Sequence, residues 1–314
     1  MTRTGCGAAD PHAHRSPLLH CKLLPAVDWA SLDVRLPSPS QPRHVLKALE
    51  NSGLHVTFAE PLDAPESSRR FRLRVQDPAG PDVVLQGLHR ALKIGEDNIK
   101  VHGLEVALDA YVPGGSDDDD LVTVAAHMLW ATATPPPGRL WITGEGKGNS
   151  WPADKLKPAE IRRRLAGPYS GNIGNVTSHR EGLRIYTKRS DTSADQQRIN
   201  LPADQQRARM ERWFLNDAVP FEAPTLAGWR TYQFTDLAKH FAQVRVNPAA
   251  SPLGRLLLEQ RTAQLGQPVD PRARASKRRQ SRPSVVRDTE VNEAIRVAFR
   301  RLTTAQRAGN LLKF

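Results

Sequence analysis

Over roughly the first two hundred positions of this chain, apolar residues often alternate with polar ones, and shorter stretches with a helical period interrupt that pattern. Val27-Asp28-Trp29-Ala30-Ser31-Leu32-Asp33-Val34, Leu54 to Phe58, Phe71-Arg72-Leu73-Arg74-Val75 and Val101 to Tyr111 are predicted to be strands. Val45, Leu46 and Leu49, closed by Asn51-Ser52-Gly53, predict a short helix. A second helix starts at Pro81-Asp82 and carries Val84, Leu85, Leu88 and Leu92. A third follows the acidic run Asp117 to Asp120 through Val122, Ala125, Ala126 and Leu129. Pro135-Pro136-Pro137-Gly138 breaks the chain, and strands are expected over Arg139 to Thr143, 182–188 and 207–214. This order predicts an α+β fold with a largely antiparallel sheet and helices packed on one face. A helical, basic C-terminal region is expected to follow.

That region has helical patterns over Phe234 to Val244 and Leu253 to Leu265. A last helix is expected over Thr289 to Ala305, with Val291, Ile295, Ala298 and Leu302 on one stripe. The expected organisation is a disordered leader over 1–22, a catalytic domain over 23–222, a helical extension over 223–266, and a basic linker with a C-terminal helix over 267–314.

Charge sharpens this picture. The net charge is +12, and residues 271–314 supply +9 of it, with twelve Arg and Lys against three acids. A basic segment of this kind points to a polyanion, most simply nucleic acid, with a solvated tail as the alternative. Two cysteines, Cys6 and Cys21, support neither a disulfide framework nor a thiolate metal site. No apolar run approaches the length of a membrane span, and no signal peptide is expected, so a cytoplasmic location is expected.

The candidate chemistry centres on Arg184-Ile185-Tyr186-Thr187-Lys188. On a strand, Arg184, Tyr186 and Lys188 share a face. A phenol between two cations suits attack on a phosphodiester, while an edge kept soluble by its charges is the plainer reading. Glu105 and Asp109 share a face of their strand roughly 13 Å apart, and Arg209, Glu211 and Trp213 share one of theirs. Buried carboxylates there need partners, either local arginines such as Arg184 and Arg209 or a hard divalent cation, Mg2+ or Mn2+. His12-Ala13-His14 lies among prolines and is a poor metal motif. Gly144 to Gly148 lacks phosphate-loop spacing, Tyr169 reads as a turn residue, and Tyr111 and Tyr232 read as packing residues.

These segments together resemble the rolling-circle replication initiators of the staphylococcal plasmid type, the replication initiation factor family, which includes relaxases of some integrative elements. Val27-Asp28-Trp29-Ala30-Ser31-Leu32 is similar to the family's opening strand, Leu104 to Asp109 to its acidic strand, Arg184 to Lys188 to its nucleophile strand, and Ala208-Arg209-Met210-Glu211 to its closing strand. The likeness spans roughly 26–216 in matching order. It departs from the family at the long Gly/Asn-rich stretch Gly167 to Gly182 and at the bulky Trp213-Phe214.

The resemblance implies a nickase that cuts and rejoins one strand of plasmid, phage or integrative-element DNA through a tyrosyl-5′-phosphate at Tyr186. It implies a Mg2+ or Mn2+ ion held by Asp109 and Glu211, together with Glu105. Arg184 and Lys188 would contact DNA, and the basic Lys277, Arg278, Arg279 and Arg282 are further DNA-binding candidates. Implied partners are origin DNA, single-stranded or supercoiled, a second copy of the chain and a host helicase. A conjugative relaxase and a non-catalytic DNA-binding regulator remain the alternatives.

Overall fold

The computed structural model describes residues 16–113, 118–132, 134–145, 148–175, 179–192, 197–245 and 286–312. The leader motif at His12 and His14, the helix expected over Leu253 to Leu265, and the basic residues Lys277, Arg278, Arg279 and Arg282 lie outside them.

The first strand, β1, runs Lys22–Ser40. It is followed by α1 (Pro42–Leu49), β2 (His55–Pro61), β3 (Ser68–Gln76), α2 (Pro81–Leu92) and β4 (Ile99–Tyr111). Next come α3 (Asp118–Ala131), β5 (Trp141–Gly144), β6 (Ser150–Pro152), α4 (Pro158–Leu165), β7 (Tyr169–Ile173) and β8 (Glu181–Lys188). A small ribbon of β9 (Ser190–Thr192) and β10 (Arg198–Asn200) precedes β11 (Arg207–Leu215). Then follow α5 (Leu226–Thr231), α6 (Ala238–Phe241), the paired strands β12 (Val244–Arg245) and β13 (Val286–Arg287), and α7 (Thr289–Arg307).

Nine strands form one sheet in the order β2-β3-β1-β4-β11-β8-β7-β5-β6, and every pairing is antiparallel. This is the α+β architecture expected from the sequence. The two faces differ in chemistry because side chains alternate along each strand. Ala30, Leu32, Leu104, Val106, Leu108, Met210, Leu183 and Ile185 belong to the buried core under the helices. The opposite face carries Trp29, Arg74, Glu105, Arg209, Glu211, Arg184 and Tyr186. One exception is Arg212, buried on the helix side. Its Nη1 donates to the carbonyl of Thr134 (2.8 Å), and burial pulls its pKa down to about 10.

Local sequence explains the helix ends. Pro81 opens α2 with Asp82 in its first turn, where a carboxylate complements the helix dipole, and the helix closes at Lys93 with φ 57°. Asp288 caps α7 by accepting from the Val291 N–H. The stripe Val291, Ile295, Ala298 and Leu302 is buried together with Phe299, which lies 4.9 Å from the ring of Phe241. Thus α7 packs on the main domain, against β1 and the segment around Phe234.

Three expectations are corrected. Order begins before Val27: Pro17–His20 form a 3-10 turn with Leu18 in the core, and β1 starts at Lys22 and pairs with β4 from there. The helical pattern over Phe234 to Val244 is cut short after Phe241. The Gln243 N–H bonds to Asn292 Oδ1 (2.7 Å) instead of a helical carbonyl. Tyr169 opens strand β7, between β5 and β8, and is not in a turn. The neighbouring glycine serves packing: a Cβ at Gly171 would lie 2.4 Å from Leu129 Cδ1 of α3.

Among the described residues no helix is long and apolar enough to cross a membrane.

Candidate active site on the open face of the sheet

Strand β11 lies between β4 and β8, and its register builds the site. Arg209 stands opposite both Asp109 and Tyr186, Glu211 opposite Ala107 and Arg184, and Trp213 opposite Glu105 and Gly182. All these side chains share the open face. Small Ala107 leaves room between Glu105 and Asp109 for the head of Glu211.

Tyr186 and Glu211 are diagonal neighbours across the strand pair. The phenol donates to Glu211 Oε1 at 2.7 Å. Arg184 Nε donates to Glu211 Oε2 at 2.6 Å, and Arg209 Nη1 lies 3.6 Å from Oε1. Glu211 is therefore the junction of the site, and it is 1 % exposed. Burial, and next the charge on Glu211, hold the Tyr186 phenol well above its ordinary pKa.

The acids group differently from the expected set. Asp109 is taken by two guanidinium groups. Arg209 Nε and Nη2 donate to it at 2.6 and 2.7 Å, and Arg207 Nε at 3.0 Å. Asp109 is thus held as an ion-pair partner and stands outside the group of acids that come together here. Its place is taken by Asp28, which forms with Glu105 and Glu211 a triad whose carboxylate oxygens lie within 4.8 Å of one another.

Asp28 reaches this face because of a β-bulge. Between Val27, opposite Val106, and Trp29, opposite Glu105, β1 holds one extra residue, Asp28. The bulge breaks the alternation that would have sent Asp28 to the side opposite Trp29. Its carbonyl accepts from the N–H of Asp77 (2.8 Å), a residue held at φ 45°, and its carboxylate accepts from Arg209 Nη1 (2.8 Å).

Four carboxylates (Asp28, Glu105, Asp109, Glu211) meet Arg184, Arg207 and Arg209 in ion pairs and hydrogen bonds, with Arg74 acting on Glu105 and Lys188 on Asp28. Burial, followed by the charges of Glu211 and Asp28, pushes the Glu105 carboxyl well above the usual range. Burial pushes Asp28 upward as well, but Arg209 and Lys188 outweigh it, and its net shift is down. The donor set of Asp28, Glu105 and Glu211 is all oxygen, so these three residues could hold a hard divalent ion such as Mg2+ or Mn2+.

Arg184 and Lys188, expected to meet phosphate, both have acidic partners. Arg184 is paired with Glu211 but its side chain is 44 % exposed, so its outer edge is available. Lys188 lies 3.3 Å from Asp191 and is mostly covered. Tyr186, Arg184 and Lys188 line an open groove of about 830 Å³, walled by Tyr169, Ser170, Arg189 and the β9–β10 ribbon through Asp191, Arg198 and Asn200.

Asp28 was present in the Val27-Asp28-Trp29 segment, but nothing in the alternation of that strand marked it as a site residue. Arg207 carried no distinguishing signal among 45 Arg and Lys.

The chain matches no protein-family model and no curated protein.

Proposed function

We propose that this protein is a metal-dependent tyrosine DNA nickase and strand transferase that starts rolling-circle replication. The observation that supports it best is the bond from Tyr186 to Glu211, a glutamate that also belongs to the acidic triad, at the edge of an open, partly cationic groove. A phenol, an adjacent carboxylate base and a hard-cation site are the parts that phosphodiester transfer needs.

In this reading Tyr186 Oη attacks the phosphorus of a single strand and its proton passes to Glu211 Oε1. The Tyr186–O–P bond forms as the P–O3′ bond breaks. The 3′ oxygen leaves as a hydroxyl after taking a proton from water. Arg184 remains beside the phosphate, where its exposed edge offsets the charge that builds on the non-bridging oxygens. Closure is the reverse: a 3′ hydroxyl attacks the phosphotyrosine and the phenol recovers its proton. A divalent ion held by Asp28, Glu105 and Glu211 would supply Lewis-acid polarisation of a phosphate oxygen.

A second reading, a DNA-binding regulator without catalysis, is favoured by one observation. Glu211 and Asp28 already bond to arginines, as they would in a cluster that serves only to hold the sheet together. The two readings separate on a denaturing gel. Purified protein is mixed with Mn2+ or Mg2+ and supercoiled DNA carrying its own gene and flanks. The nickase gives a metal-dependent protein–DNA adduct that Tyr186→Phe abolishes. Tight DNA binding with no adduct under any metal supports the regulator.

A further inference from the structure

One rung of the sheet crosses six strands at the candidate nucleophile. Asp109 on β4 stands opposite Arg209 on β11, Arg209 opposite Tyr186 on β8, and Tyr186 opposite Ser170 on β7. The rung continues with Thr143 on β5, opposite Ser170, and ends with Ser150 on β6, opposite Thr143. Directly paired residues share a face, so all six side chains stand on the open face. The acid and its arginine lie on one side of Tyr186, and three hydroxyls lie on the other. Ser170 and Thr143, like Arg184, line both the 830 Å³ groove and a second hollow of about 700 Å³ beside it. These three residues are the border that the two hollows share.

Most side-chain donors around the phenol are already used. Arg209 gives Nε and Nη2 to Asp109 and Nη1 to Asp28. Lys188 is paired with Asp191. The hydroxyls of Thr143 and Ser150 are tied to each other at 3.0 Å. The Asn172 amide, which stands opposite Arg184, donates to Ser170 Oγ at 2.9 Å and to the Ser170 carbonyl at 3.2 Å. Ser170 Oγ is therefore an acceptor towards Asn172, and its own proton has no acceptor among the described residues. Ser170 is half-buried, and its Cβ stands about 5 Å from that of Tyr186 across the strand pair. Thr143 and Ser150 lie one and two strands further out, roughly 5 and 10 Å beyond it.

A phosphate seated at Tyr186 has two non-bridging oxygens, on which charge builds as the phenol attacks. The exposed edge of Arg184 meets one of them. The other, on the β7 side, faces Ser170. We propose that Ser170 is a catalytic residue whose hydroxyl donates a hydrogen bond to this second oxygen. The Asn172 amide holds the hydroxyl in place before any substrate arrives, so the donor needs no rearrangement at the moment of reaction. Asn172 is then a positioning residue. The role of Ser170 rests on the nickase reading.

The test is a single-turnover adduct assay with the full-length protein, on an oligodeoxynucleotide that spans the nick site mapped with supercoiled DNA. Ser170→Ala should slow adduct formation about 100-fold, the scale for losing one such donor, with oligonucleotide affinity by fluorescence anisotropy within about 2-fold of the unmodified protein. Sulfur substitution then reads whether the hydroxyl serves one particular oxygen. Two phosphorothioate isomers exist at the nick site. The isomer with sulfur facing Ser170 should slow the unmodified protein and cause no further slowing in Ser170→Ala, while the other isomer slows both proteins equally. The proposal is overturned if Ser170→Ala forms adduct at the unmodified rate, if it loses affinity as much as rate, or if both sulfur effects persist unchanged in the variant. No adduct from the unmodified protein removes the nickase reading and this role with it. An adduct whose rate ignores Ser170 removes this role alone.

Discussion

The Tyr186 phenol and the Glu211 carboxylate meet at 2.7 Å as diagonal neighbours on β8 and β11, with Arg184 on the other oxygen of the same carboxylate. One glutamate therefore both receives the hydrogen bond of the candidate nucleophile and shares the candidate metal triad. Its replacement should affect both roles.

Glu211→Gln removes a negative charge beside the phenol. Burial and that charge both raise the Tyr186 pKa, so the variant should shift tyrosine ionisation to lower pH. Ultraviolet titration against Tyr186→Phe isolates this one group among four tyrosines. Adduct formation should fall about 100-fold or more, the usual loss when a general base is removed. An unmoved titration would show that the two groups are uncoupled in solution.

Glu105→Gln should stabilise the metal-free protein at neutral pH. The folded-state pKa of Glu105 is raised, so the folded state binds the proton more tightly than the unfolded chain does. Its stabilising effect is full below the ordinary glutamate pKa and is lost as pH rises through the elevated value. The amide imitates the protonated form at all pH. A gain of about 1 kcal/mol would raise Tm by about 2–4 °C near pH 8 and do little near pH 4. The same variant should lose any rise in Tm that Mn2+ gives the unmodified protein.

Asp28→Asn and Asp109→Asn should behave in opposite ways. Asp109 neutralises two buried arginines, and losing it leaves charges unpaired at a cost of about 3–5 kcal/mol. Asp28 shares Arg209 with Asp109, so its loss should cost less stability. It should, however, abolish the Mn2+-dependent rise in Tm. Thermal melts with and without Mn2+ read both effects. A metal response that survives Asp28→Asn would return Asp109 to consideration.

The basic residues ahead of α7 are best tested by substitution. Deleting 271–314 would also remove Val291, Ile295, Phe299 and Leu302 from the core. Changing Lys277, Arg278, Arg279 and Arg282 together to Gln leaves α7 in place. If they contact phosphates, the slope of log K against log salt should flatten by about 3 on single-stranded DNA. An unchanged slope would confine DNA contact to other surfaces.

Much of the fold was legible in the order of patterns. Period-two runs at Phe71 to Val75 and Val101 to Tyr111 became β3 and β4, and the stripe on the last helix became the buried face of α7. Such patterns are local: alternation states which residues share a face, and helical spacing states which share a stripe. They correctly placed Glu105 with Asp109, and Glu211 with Trp213. They also showed Tyr186 lying between Arg184 and Lys188.

What alternation does not contain is which strands are neighbours and where the ladder slips. Strand order put β11 between the acidic strand and the tyrosine strand, and so decided that Arg209 would claim Asp109. A single extra residue in β1 turned Asp28 to the open face and completed a triad that regular periodicity denies it. Both outcomes depend on pairing between segments far apart in the chain. A bulge or a register is chosen by the free energy of the whole sheet, and no short stretch of sequence carries that information.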